Sequence, residues 1–94
     1  MEPKIEAEVR NRFSRIMNLD PAGLDFDARL DDAYGVTSMN SMRLISELEI
    51  ELGIEIPEEE IAQICTLGDV ARLCERHSGG EGAETELRAA QGGL

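Results

Sequence analysis

Residues 47–56 read ELEIELGIEI, and the fold class turns on how that segment arranges its apolar positions. Strict alternation is the period-2 signature of a half-buried strand. Begun at Met39, however, the apolar positions Leu44, Ile45, Leu48 and Leu52 make an equally regular helical stripe. Leu, Glu and Met favour helix, β-branched residues are sparse here, and no other segment offers a lone strand a partner. A helix over 38–52 is therefore expected, ended by Gly53. Ile50 then falls off the buried stripe, towards solvent.

The flanking segments carry the same helical period. Residues 3–17 place Ile5, Val9, Phe13, Ile16 and Met17 on one face, with Pro3 tolerated in the first turn. Pro57 followed by Glu58, Glu59 and Glu60 opens a short helix, since proline suits the first position and carboxylates suit the positive end of the dipole. Ile61 and Ile64 supply its apolar side. Thr66-Leu67-Gly68-Asp69 has the form of a capping box with Asp in place of Glu, and predicts a helix through about His77. Its inward face is Leu67, Val70, Leu73 and Cys74. His77 itself is expected to act as a cation near helix-terminal carbonyls.

Between the first two helices runs a long connection, residues 18–35, with Pro21, Gly23 and five aspartates. Leu24, Phe26 and Leu30 are spaced to pin it to the core. The aspartates lack the glycine and the closing glutamate of a calcium loop, so no metal is expected. The chain is thus expected to be all-α: a small four-helix bundle of three longer helices and one short one, with a long loop between helices 1 and 2. The domain covers 1–78. Residues 79–94, with five glycines and little apolar content, are expected to form a flexible C-terminal tail.

Charge narrows the function. Twenty acidic and nine basic residues give a net charge of −11, which argues against nucleic acid and suits partners with basic surfaces. No apolar run approaches the ~18 residues that a membrane span needs, and the charged N-terminus lacks a signal-peptide core. Cys65 and Cys74, nine apart, form neither a redox nor a zinc pattern. They read as free thiols, and the protein as a cytoplasmic monomer. Without tryptophan, and with one Tyr and two Phe, its core must be aliphatic.

Residues 35–42, GVTSMNSM, enter the second helix. The pattern G-x-x-S-M at a helix mouth precedes L-x-x-x-L-E, then G-I-E-I-P-E-E-E, then Thr66-Leu67. Together these resemble the acyl carrier protein family, in particular discrete carriers of the polyketide and peptide synthetase type, over about residues 3–77. In that family the modified serine lies eighteen residues before the isoleucine of the I-P dipeptide; Ser38 lies eighteen before Ile56, and Ser41 fifteen. The resemblance therefore implies that Ser38 bears 4′-phosphopantetheine, transferred from coenzyme A by a phosphopantetheinyl transferase. The arm's thiol would carry acyl or aminoacyl groups supplied by an acyl-loading ligase or acyltransferase and used by synthase or condensing enzymes. A helix N-terminus suits the anionic group, and Gly35 allows close approach of a partner backbone. The chain has no base beside Ser38 and would not be an enzyme.

The same resemblance assigns partner recognition to Thr37, Met39, Met42, Arg43, Glu47, Glu49 and Ile61. Two positions depart from the fatty-acid carriers. Thr37 stands where Asp is usual, though threonine can still cap the second helix, and Arg43 interrupts the usual acidic face, leaving Glu47, Glu49 and Glu51 beyond it. Both favour a specialised pathway over primary fatty-acid synthesis. Met39 and Met42 serve either as ordinary packing or as a soft docking surface. The alternative is a small helical interaction module with a carrier-like fold whose serine is never modified.

Overall fold

A computed structural model of the chain describes residues 3–78; the expected tail lies outside these residues. Five helices follow in order: α1 (Pro3–Met17), α2 (Leu30–Tyr34), α3 (Ser38–Leu52), α4 (Glu58–Ile61) and α5 (Leu67–Ser78), with a 3-10 turn at Pro21–Gly23. The described residues contain no strand, and ELEIELGIEI is helical as far as Leu52. Helices α1, α3 and α5 are the long ones and pack against one another around the core.

The apolar stripes become that core. Ile5, Val9 and Phe13 of α1 meet Leu44, Ile45 and Leu48 of α3 and Leu67, Val70, Leu73 and Cys74 of α5. Ile16 and Met17 are only partly buried at its margin. Cys74 behaves as a small apolar residue: burial, with a lesser contribution from the Glu49 charge, pushes its thiol up to about 11. Both cysteines are free thiols. Ile50, off the stripe, is exposed.

The stretch expected as a long loop pinned to the core carries a 3-10 turn and a short helix of its own. Asp20 caps the 3-10 turn by accepting from the Ala22 amide at 2.9 Å. Leu30 is buried and starts α2, whose last residue, Tyr34, sets its ring edge-on to Phe13 at 5.4 Å. The Tyr34 hydroxyl accepts from the Asp25 amide at 2.8 Å, tying the loop to the helix. Gly35 ends α2 at φ +63°, as Gly53 ends α3 at φ +67°, in the left-handed region that side chains disfavour. Gly35 thus serves this turn, where the sequence suggested room for a partner's backbone. The bundle therefore has two short helices, one more than expected. Pro57 caps α4 from just outside it, one position earlier than expected.

Carboxylates hold the helices together at their edges. On α5, the Asp69 carboxylate accepts from the Cys65 and Thr66 amides at 2.8 and 3.0 Å, and the Asp69 amide donates to Thr66 Oγ1 at 3.0 Å. The expected capping box is present. Burial raises the Asp69 pKa, but those amides and Arg72 outweigh it and hold the carboxyl below its ordinary value of 3.8. Glu47, beside Arg43, Arg12 and Arg15, is also lowered, from 4.5. So is Glu60, which His77 contacts at 2.9 Å; His77 therefore bridges α5 to α4, and this contact replaces the expected role at helix-terminal carbonyls. Groups with lowered folded pKa values stabilise above their unfolded values and lose that contribution as pH falls through the folded ones. The melting temperature should thus fall as pH drops below the ordinary values of 4.5 and 3.8. A scan by circular dichroism checks this; a melting temperature that rises steadily into acid would show that relief of net-charge repulsion dominates instead.

Candidate functional site

The opening of α3 is a built turn. Thr37 is its N-cap: its Oγ1 accepts from the Asn40 amide at 3.2 Å, while the Asn40 side-chain oxygen accepts from the Thr37 amide at 3.1 Å. Two backbone donors are satisfied reciprocally, in the pattern of a capping box with Asn at the third position. Sequence reasoning gave Thr37 the capping role and missed Asn40, although T-x-x-N just before an apolar run carries that signal. Replacing Thr37 with Ala should cost about 1 kcal/mol, the usual value of a lost cap, read as a lower urea midpoint at unchanged slope.

Ser38 is the first residue of α3 and is exposed. Its amide and that of Met39 have no backbone partner, because the first turn of a helix leaves them free. The Ser38 hydroxyl makes no hydrogen bond among the described residues, so none of them activates it. Ser41, one turn on, is half-buried. Both serines line one groove of about 510 Å³ between α2, α3 and α4. Val36, Met42, Ile61 and Ile64 form its apolar wall, and Arg29, Asp31 and Glu58 its polar edge. Cys65 is exposed at the far side. Behind the groove, the seam between Phe13, Leu44, Ile45 and Val70 encloses only about 10 Å³. That barely admits one water molecule, so the core is closed there.

The expected recognition residues divide into two sets. Thr37, Ser38, Met42 and Ile61 meet in the groove, and Met39 and Arg43 stand exposed on α3 beside it. Glu47 and Glu49 are not brought to the groove. Glu47 bonds Arg43 at 3.1 Å and lies 3.5 Å from both Arg12 and Arg15 of α1. Glu49 accepts from the Ile56 amide at 2.8 Å and fastens the chain that follows α3. Glu51 accepts from Arg12 at 2.6 Å. The groove residues not foreseen, Arg29, Asp31, Glu58 and Cys65, come together only through the fold of α2 and α4, and no local spacing marks them.

A long arm ending in a polar, anionic root fits these residues. Free amides at the head of α3 suit the root, an unhindered hydroxyl offers the bond, and the apolar wall suits the arm's length. Among the described residues no helix is long and apolar enough to cross a membrane, and no group of side chains could hold a metal ion.

Comparison with known proteins agrees with this geometry. Residues 7–74 match the family model described as "Phosphopantetheine attachment site". The acyl carrier protein of Rickettsia typhi is 33% identical over 76 residues, covering 80% of this chain and 88% of that protein. Its counterpart in Rickettsia massiliae is 32% identical over the same length. A segment of the orsellinic acid synthase of Beauveria bassiana is 34% identical over 62 residues, 66% of this chain and 3% of that protein. The solution structure of the holo acyl carrier protein of Geobacter metallireducens superposes with a TM-score of 0.70 at 23% identity, covering 88% of this chain and 93% of that one, and shares the fold. The chain belongs to the acyl carrier protein family: a carrier and not an enzyme, whose cofactor is covalently attached 4′-phosphopantetheine.

Proposed function

We propose that Ser38 receives the phosphopantetheine and that the chain carries acyl or aminoacyl groups for a specialised synthase of the polyketide or peptide type. The observation that best supports this is the placement of Ser38: exposed, first in a capped fifteen-residue helix, and at the lip of the groove. When bound, the cofactor supplies a thiol on which an acyl group is held as a thioester. The rest is the work of the chain's own residues. Thr37 and Asn40 fix the turn that presents the hydroxyl, and the free amides of Ser38 and Met39 favour a phosphodiester over water there. Val36, Met42, Ile61 and Ile64 give the arm an apolar wall to rest on. With no base bonded to Ser38, proton removal falls to the transferase and its metal ion.

Residues 1–78 make up this working domain, a cytoplasmic monomer that meets a transferase, an acyl-loading ligase or acyltransferase, and condensing enzymes in turn. Thr37 and Arg43 support the specialised pathway. A second reading, a general carrier of fatty-acid synthesis, is favoured by the likeness to discrete carriers over most of their length. Intact mass tests the shared part. After incubation with coenzyme A, Mg2+ and a broad-range transferase, the wild type should gain one phosphopantetheinyl group. An unchanged mass would leave the unmodified interaction module as the account.

A further inference from the structure

The groove beside Ser38 and the seam behind it limit what the arm can carry. Leu30, Val36, Ser41 and Ile64 line both, so an acyl chain leaving the groove for the core has to pass through that seam. The seam holds about 10 Å³, and Phe13, Ile45 and Val70 around it are each 2% exposed or less. Side chains packed this closely yield space only at the cost of their own contacts, so a fatty chain finds no room there. The groove itself is open, at about 510 Å³. Its charges are unequally engaged. Arg29 lies 3.2 Å from Asp31 and 3.5 Å from Asp32, and Asp31 also accepts from the Asp32 amide at 2.8 Å. The Glu58 carboxylate, exposed on α4, has no hydrogen bond or ion pair among the described residues. The half-buried Ser41 hydroxyl has none among them either. The lining therefore offers a free carboxylate and a free hydroxyl, while its one cation is already held.

We infer that the cargo of this carrier is a small aminoacyl group, held in the open groove with its ammonium paired to Glu58, and that no long acyl chain is stored in the core. The inference deepens the reading of Ser38 as the modified residue, and rests on it. A carboxylate both accepts from an ammonium and attracts its charge, and the Ser41 hydroxyl adds a second acceptor. A group ending in a carboxylate suits the groove poorly, because it meets an unpaired Glu58 and an Arg29 whose charge two aspartates share. The net charge of −11 favours the same sign of cargo. A plain short acyl group uses the apolar wall alone and leaves both acceptors to water. An exposed ion pair is weak in free solution, but a group tethered through Ser38 is already concentrated beside its partner. A modest attraction then changes how often the cargo occupies the groove, and still lets it leave for an enzyme.

Cargo of matched size tests this. A broad-range transferase charges the full-length apo protein from coenzyme A derivatives that bear glycyl, propionyl or octanoyl through a stable amide, and intact mass confirms each product. Glycyl and propionyl have the same number of heavy atoms and differ in the ammonium, which is charged at neutral pH. In backbone-amide NMR spectra at low salt, the Ser41, Glu58 and Ile61 amides should move about 2- to 5-fold further from the holo form with glycyl than with propionyl. Glu58→Gln should remove that excess, and high salt should shrink it. Octanoyl should leave the Ile45 and Val70 amides where they stand in the propionyl form. The inference is overturned if glycyl and propionyl give the same shifts, if Glu58→Gln keeps the glycyl excess, or if octanoyl moves Ile45 and Val70. A protein that gains no mass from any of the three derivatives counts instead against the reading of Ser38.

Discussion

Phe13→Ala should lower the stability of this domain by about 3–5 kcal/mol, the range for truncating a fully buried aromatic side chain. The ring is 2% exposed on the buried face of α1, and its loss opens a cavity between all three long helices. It also removes the edge-on contact with Tyr34, which with Leu30 joins α2 to the bundle. A domain of this size holds only about 5–10 kcal/mol, so the variant should lose from about a third to all of its stability. Phe13→Leu, which keeps most of the volume, should lose much less. Urea unfolding followed by circular dichroism measures both. A loss under about 1.5 kcal/mol for Phe13→Ala would mean that the neighbouring side chains collapse into the space, and that Phe13 does not organise the core.

The long helices could be read from the sequence because their signals are local. Ile5, Val9 and Phe13 recur at the helical period, Gly53 marks a stop, and Thr66 with Asp69 marks a start; each has its expected place. The choice between helix and strand for ELEIELGIEI was decided by the absence of a partner strand, which is a whole-chain property. Helix α2 was missed for the opposite reason. Five residues rich in aspartate have too little propensity to form a helix alone, and Leu30 and Tyr34 hold it only by docking onto the core. The site divides the same way. That a helix opens at Ser38 behind a Thr37 cap was readable from motif and spacing. That Glu47 and Glu49 would be held away from the groove was not, because it depends on Arg12 and Arg15 of α1 and on the chain turning back at Ile56. Charge on a helix read one residue at a time does not reveal which neighbours consume it.

The largest functional effect is expected at a single hydroxyl. Ser38 and Ser41 lie in the same groove, three residues apart, and differ in exposure and in place. Ser38 is the first residue of α3 and presents its oxygen where helix amides are free; Ser41 lies one turn on, its amide already bonded to the Thr37 carbonyl at 3.0 Å. A transferase approaching from solvent reaches the first and meets helix backbone at the second. Modification should therefore be all-or-none by position. The measurement is peptide-level mass spectrometry of wild type, Ser38→Ala and Ser41→Ala after exhaustive incubation with coenzyme A, Mg2+ and a broad-range transferase. The structure predicts one phosphopantetheinyl group on Ser38 in wild type and in Ser41→Ala, and none anywhere in Ser38→Ala. An adduct on Ser41, or any adduct that persists in Ser38→Ala, would contradict the account.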